Sequence, residues 1–216
     1  AHFRESVRLR PAAAESHYNL GIALTAFGSR DEAATHFRRA LEIAPAHANA
    51  QIHLAAVLHS LGRTDEAIGH YQLGLQVTPE NAEAHNGLAQ ALAARGRLDE
   101  AIGHYRQALT IEPDIPTALA DLAWILATTP DRTVRAPKEA IRLAARAVEL
   151  TRQQDAVMLD TLAECWASDG EFARAVATAE GALRLALAAR SDDLGRQIRG
   201  RLERYKQGRA YSEPPR

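Results

Sequence analysis

Apolar and polar positions along most of this chain follow a helical period, and the whole pattern returns every 34 residues. Leu20, Leu54 and Leu88 mark one series, and Leu24, Leu58 and Leu92 follow each of them by four residues. Apolar residues at i and i+4 share a helix face, so each pair predicts the buried stripe of a first helix. Gly28, Gly62 and Gly96 then end those helices, because glycine tolerates the left-handed conformation that closes one. Asp31, Asp65 and Asp99 are predicted to cap a second helix, with Glu32, Glu66 and Glu100 favourable in its first turn. Ala33, Ala67 and Ala101 are small where the two helices approach. Phe37, Tyr71 and Tyr105 fill the space between hairpins, and Pro11, Pro45, Pro79 and Pro113 break each second helix. Several independent series in one register predict stacked helical hairpins.

These offsets resemble the tetratricopeptide repeat. The first full unit shows His17, Leu20, Gly21, Leu24, Ala33, Phe37, Ala40 and Pro45. The second shows Leu54, Ala55, Leu58, Ala67, Tyr71, Gly74 and Pro79, and the third Leu88, Ala89, Leu92, Ala101, Tyr105, Ala108 and Pro113. The resemblance implies an all-α fold, an α-α superhelix: a right-handed solenoid of antiparallel hairpins with units at 14–47, 48–81 and 82–115. A fourth unit, 116–154, starts on schedule with Leu119, Leu122, Ala123 and Leu126. Its second-helix alanine falls at Ala140 where the register gives 135, so five residues are inserted within the loop 128–137. A fifth, degenerate unit spans 155–190, with Leu159, Leu162, Ala163, Trp166, Gly170, Ala175, Ala179 and Ala182. Ala179 stands where an aromatic is usual and predicts thinner packing. Residues 1–11 read as the second helix of a truncated repeat, which makes the sequence a fragment of a longer chain. Residues 191–207 read as a capping helix, with Leu194, Ile198 and Leu202 inward and Arg196, Arg199, Arg204 and Lys206 outward. Residues 208–216 have no periodicity and are expected to be mobile.

Composition narrows the function classes. Of 216 residues, 46% are hydrophobic, enough for a sizeable core. The formal net charge of -1 predicts no bulk attraction to nucleic acid or anionic lipid, although a local basic patch stays open. No uninterrupted apolar stretch is long enough to insert in a membrane, and no signal peptide is recognisable. The default location is cytoplasmic, or extracytoplasmic if a parent chain is membrane-anchored. Cys165 is the single cysteine, so no disulfide forms within the chain. It reads as a small buried residue, with a reactive thiol as the sharper alternative.

The resemblance also implies which side chains face a concave groove: the second, fifth, ninth and twelfth of each unit. In the first unit these are Glu15, Tyr18, Ile22 and Thr25, in the second Asn49, Ile52, Ala56 and His59, and in the third Glu83, Asn86, Gln90 and Ala93. The fourth contributes Thr117, Ala120, Trp124 and Ala127, and the fifth Val157, Asp160, Glu164 and Ala167. From these, the candidate peptide-binding residues are Tyr18, Ile22, Asn49, Ile52, His59, Asn86, Gln90, Trp124, Asp160 and Glu164. Trp124 is a candidate anchor, or packs on the inserted loop. Asparagine and glutamine suit main-chain recognition, since an amide both donates and accepts. Asp160 and Glu164 suggest a basic partner or a solvated acidic face. Arg132 and Arg135 in the inserted loop are candidate contacts to an acidic partner, or belong to a tolerated insertion. The lysines and arginines of a chaperone-binding carboxylate clamp are missing, and the asparagine ladder of O-linked N-acetylglucosamine transferase repeats does not continue beyond Asn19.

Nine histidines raise the question of metal binding or catalysis. His36, His70 and His104 share one repeat position, and neighbouring repeats lie about 10 Å apart, too far to share an ion. They read as a repeated surface residue. No zinc-protease helix, paired-cysteine motif, phosphate loop or nucleophile motif occurs. The reading is therefore a non-catalytic scaffold that binds a peptide or protein, with no catalytic residue, metal or cofactor assigned. The alternatives are a self-assembling structural module, or the substrate-positioning arm of a larger enzyme. The fourth and fifth units and the ending Gly-Arg-Ala-Tyr are similar to repeat regions of some bacterial membrane glycosyltransferase-like proteins.

Overall fold

Alanine and leucine at the repeat positions supply helix propensity and apolar stripes together. The computed structural model describes residues 2–210, and among these it contains twelve α-helices and no strand. The chain forms two units, one ending at Ile111 and the other beginning at Glu112.

In the first unit, α1 (His2–Leu9) lies against α2 (Ala14–Ala26). Three antiparallel hairpins follow: α2 with α3 (Arg30–Ile43), α4 (Ala48–Ser60) with α5 (Thr64–Val77), and α6 (Ala82–Ala94) with α7 (Leu98–Ile111). Each second helix also packs on the next first helix, α3 on α4 and α5 on α6. Ala33, Ala67 and Ala101 are wholly buried, as are Leu54, Leu58 and Phe37.

The hairpin turn explains itself at Gly28. Phe27 closes α2, and Gly28 follows with φ of 79°. The Ser29 amide then donates back to the Leu24 carbonyl at 2.9 Å and the Gly28 amide to Thr25 at 3.0 Å. Those two bonds make a Schellman closure, in which a left-handed glycine lets the chain satisfy the last carbonyls. Because the turn is so tight, Ser29 is already the N-cap of α3, and Arg63 takes that place before α5. The expected capping by Asp31 and Asp65 is therefore corrected: both lie inside the first turn, where a carboxylate favours the helix dipole without capping it.

The second unit holds α8 (Pro116–Thr128), α9 (Pro137–Leu150), α10 (Ala156–Ser168), α11 (Phe172–Ala188) and α12 (Asp192–Lys206). α8 pairs with α9, α10 with α11, and α12 covers α11. The connection between α8 and α9 folds on itself. Asp131 Oδ1 accepts from the Thr133 amide and hydroxyl at 2.8 Å, Arg135 Nε donates to the Thr129 carbonyl at 2.9 Å, and the Ala136 amide donates to Leu126 at 3.0 Å. The hydrogen bonds from Thr133 hold the Asp131 carboxyl below the usual carboxylate range.

The packing around Ala179 differs from what an alanine there suggested. Ala175, Ala179, Ala182 and Ala186 form a fully buried row on α11, smooth enough for α12 to approach closely. The missing bulk arrives from the other side, in Ile198, Leu202 and Tyr205. Of the tail expected at 208–216, Gly208–Ala210 follow α12, and 211–216 lie outside the described residues.

Glycines in the helices give a test with opposite signs. A Cβ at Gly21 would lie 2.6 Å from the buried Phe37 ring, whereas one at Gly69 or Gly103 would meet nothing within 4 Å. Gly21→Ala is expected to destabilise by about 1–3 kcal/mol through overpacking. Gly69→Ala and Gly103→Ala should each stabilise by roughly 0.5–1 kcal/mol, since alanine loses less backbone entropy in a helix. Urea unfolding midpoints of the three variants measure both effects.

Candidate functional site

The first helices of the first unit present one connected face. Tyr18, on α2, is half-buried, and its ring centroid lies 4.8 Å from His47, 5.7 Å from His53 and 6.0 Å from Phe37. Phe37 in turn stacks on His53 at 6.0 Å. Phe37 is core, so the nest is anchored from below and open at Tyr18. Glu15 reaches His47 Nε2 at 3.3 Å and accepts from the Asn19 amide at 3.3 Å. Burial pushes the Tyr18 phenol above its usual range, and the charges of Glu15 and Glu83 push the same way. Burial lowers the His53 imidazole, against the opposing pull of Glu83.

Asn49 is exposed on this face, and Ile22, Asn86 and Gln90 are half-buried. His59 is also half-buried, with Nδ1 3.3 Å from the Thr64 hydroxyl at the hairpin tip. Ile52 is a correction. It is 2% exposed and packs over Gly74, where a Cβ would come within 2.7 Å of its Cγ1. The missing side chain at Gly74 opens a recess that draws Ile52 into the core, away from any ligand.

His36, His70 and His104 are corrected as well. Each is half-buried, and each is bonded inside its own hairpin. His17 Nε2 lies 3.1 Å from the Pro11 carbonyl, and its Nδ1 lies 3.0 Å from Nδ1 of His36. His85 repeats the arrangement with Pro79 at 3.0 Å and His104 at 3.0 Å. A carbonyl only accepts, so Nε2 of His17 and His85 carries the proton and their Nδ1 accepts from His36 and His104. In the intervening hairpin Gln51 plays the same part. Its amide nitrogen donates to the Pro45 carbonyl at 3.3 Å, and its oxygen accepts from His70 Nδ1 at 2.6 Å. The recurring unit is a donor relay from second helix to first helix to proline carbonyl. Burial holds the His36, His70 and His104 imidazoles below their usual value. Charge from His17, Arg38 and His85 respectively adds to the lowering.

In the second unit the acidic candidates are corrected outright. Asp160 is 5% exposed and Glu164 is wholly buried. Asp160 is paired with Arg201, whose Nε donates to Oδ1 at 3.0 Å and whose Nη2 donates to Oδ2. Glu164 accepts from the Tyr205 hydroxyl at 2.8 Å. Burial raises the Asp160 carboxyl and the Arg201 guanidinium opposes that rise. Burial and the Glu164 charge push the Tyr205 phenol up. A pair of acids four apart on α10 thus meets a pair of donors four apart on α12. Arg201 and Tyr205 stand beside the inward stripe of Leu194, Ile198 and Leu202 on α12. Extending that stripe by helical spacing from Ile198 reaches 201 and 205.

Trp124 is half-buried, with the Arg201 guanidinium 5.7 Å from its ring centroid. Trp166 packs against the alanine row of α11 and carries Arg174 at 4.7 Å. Cys165 is buried, and burial raises its thiol, so it stays protonated and inert. Arg132 is exposed, while Arg135 is engaged by its own loop. No cluster of three or more metal-ligating side chains occurs among the described residues. No helix among them is long and apolar enough to cross a membrane.

Comparison with known proteins places this arrangement. Models of the tetratricopeptide repeat match residues 14–47 and 61–116. None of the curated proteins matches the sequence significantly. Among solved structures, the thermophilic TPR protein TTC0263 of Thermus thermophilus is 23% identical with a TM-score of 0.64, over 87% of this chain and 98% of that one. YrrB, described as a TPR protein with an unusual peptide-binding site, is 18% identical with a TM-score of 0.68, over 88% and 98%. MamA of Desulfovibrio magneticus RS-1 is 25% identical with a TM-score of 0.60, over 71% and 84%.

Two outcomes follow from this chemistry. Arg201→Met leaves Asp160 buried without its cation and should destabilise by about 3 kcal/mol. Adding Asp160→Asn should restore part of that, and urea midpoints of the single and double variants check it. The second outcome is a pH dependence. Above about pH 6.5 the imidazoles are neutral in folded and unfolded chains alike, and stability is full. As pH falls below that value, the unfolded chain takes up protons that His36, His70 and His104 resist. Stability is then lost as pH drops through their depressed folded values. Thermal melts between pH 7.5 and about 5 should show this decline, and His70→Gln should flatten it.

Proposed function

Since the chain is a tetratricopeptide-repeat protein, we propose that it is a non-catalytic scaffold that binds a partner protein through an extended segment on its first-helix faces. The repeat architecture supports a protein-interaction role in general. The observation that carries the finer reading is the makeup of the α2, α4 and α6 face. It combines an accessible aromatic ring, Tyr18, with the amides of Asn49, Asn86 and Gln90. An aromatic anchor beside groups that both donate and accept is what an extended main chain requires. Ile22 and His59 border the same face. In the second unit Trp124 is the corresponding candidate. Ile52, Asp160 and Glu164 are excluded as ligand contacts by their burial and partners. The peptide-binding site attributed to YrrB, which shares the fold, points the same way.

Peptide-display selection on the intact chain tests the reading. Enriched peptides should lose at least about tenfold in affinity against Tyr18→Ala or Trp124→Ala, the size of one interface hot spot. A folded chain that enriches no peptide would sink the proposal.

A further inference from the structure

The cations of the first unit are sorted by helix. α2, α4 and α6 contain no lysine or arginine, whereas α1 carries Arg4 and Arg8, α3 carries Arg30, Arg38 and Arg39, α7 carries Arg106, and the turns carry Arg10, Arg63, Arg95 and Arg97. The chain as a whole is nearly balanced, with a formal net charge of -1, so this is segregation rather than an acidic protein. The negative groups left on the first-helix face are Glu15 and Glu83, both exposed. Glu15 sits on His47, whose ring is 4.8 Å from Tyr18. Glu83 makes no hydrogen bond or ion pair among the described residues, yet its charge acts on Tyr18, His53 and Tyr71. Glu15 thus lies beside this accessible ring through His47, and the Glu83 charge acts on the same ring from α6. His53 beside them stays neutral at neutral pH, because burial lowers its imidazole.

We propose that this face binds a basic segment of a partner protein, with a lysine or arginine side chain seated on Tyr18 between Glu15 and Glu83. This rests on the peptide-binding reading above and gives that ligand its charge. A cation over an aromatic face gains from the ring quadrupole. Its alkyl stem covers the ring and Ile22. The carboxylates supply the counter-charge from two helices, and the neighbouring exposed amide of Asn49 suits the main chain. An acidic segment would meet two like charges and no cation.

Fluorescence anisotropy on the intact chain tests it with three labelled peptides of equal length: alternating lysine and serine, glutamate and serine, and glycine and serine. Only the lysine probe should bind, and added salt should weaken it. Glu15→Gln with Glu83→Gln should weaken it about tenfold. Tyr18→Leu should weaken it about threefold and Tyr18→Phe should leave it unchanged. Glu42→Gln with Glu180→Gln, which removes equal charge from α3 and α11, should have no effect. If the double variant fails to fold, Glu83→Gln alone keeps the test, since that carboxylate holds no other residue. Equal or tighter binding of the glutamate probe, or equal losses in the test and control pairs, would overturn the proposal. Display selection that enriches neutral or acidic peptides while the lysine probe fails would end this inference and leave the peptide-binding reading standing.

Discussion

Hairpins of helices this short hold together only if the two helices come close, and the side chain at the approach is alanine in every one. Ala33, Ala67, Ala101, Ala140 and Ala175 are all wholly buried. A larger residue there would push the axes apart and separate the leucines of the first helix from the aromatic of the second. The rest of each hairpin follows from that spacing. The Schellman turn at Gly28 joins α2 to α3 with almost no slack, so the helices cannot drift. Phe37, Tyr71 and Tyr105 then reach the floor of the first-helix face, where Gly21 and Gly87 leave room for the rings of Phe37 and Tyr71.

Polar groups near this core are handled by two different devices. In the first unit the donor relays from His36, His70 and His104 satisfy the proline carbonyls through His17, Gln51 and His85. In the second unit two carboxylates are buried outright, and the capping helix must bring a guanidinium and a phenol to meet them. Burying an ion pair is a weak source of stability, but α12 in any other register would strand Asp160 without its cation. The same event removes acidity from the first-helix side of that unit. Trp124, with Arg201 against its ring, stays half-buried there, beside the exposed Thr117 and Val157.

The sequence by itself determined the helical period, the hairpin turns and the fold class. Those depend on local quantities: apolar spacing within a helix, a left-handed glycine, and proline at a helix end. The resemblance to the tetratricopeptide repeat, rather than the period itself, pointed to the first helices that carry Tyr18, Asn49 and Glu83. It did not determine which of the face positions stay accessible. Ile52 turned inward because Gly74, on the second helix of the same hairpin, offers it a recess. Asp160 and Glu164 became interior because a helix forty-one positions later covers them. His36 and its repeats looked like surface residues because their partners, His17 and Gln51 among them, lie nineteen positions away. Burial and pairing are properties of what packs from another helix. Only the tertiary structure decides them, and they in turn set the charge that a ligand would meet.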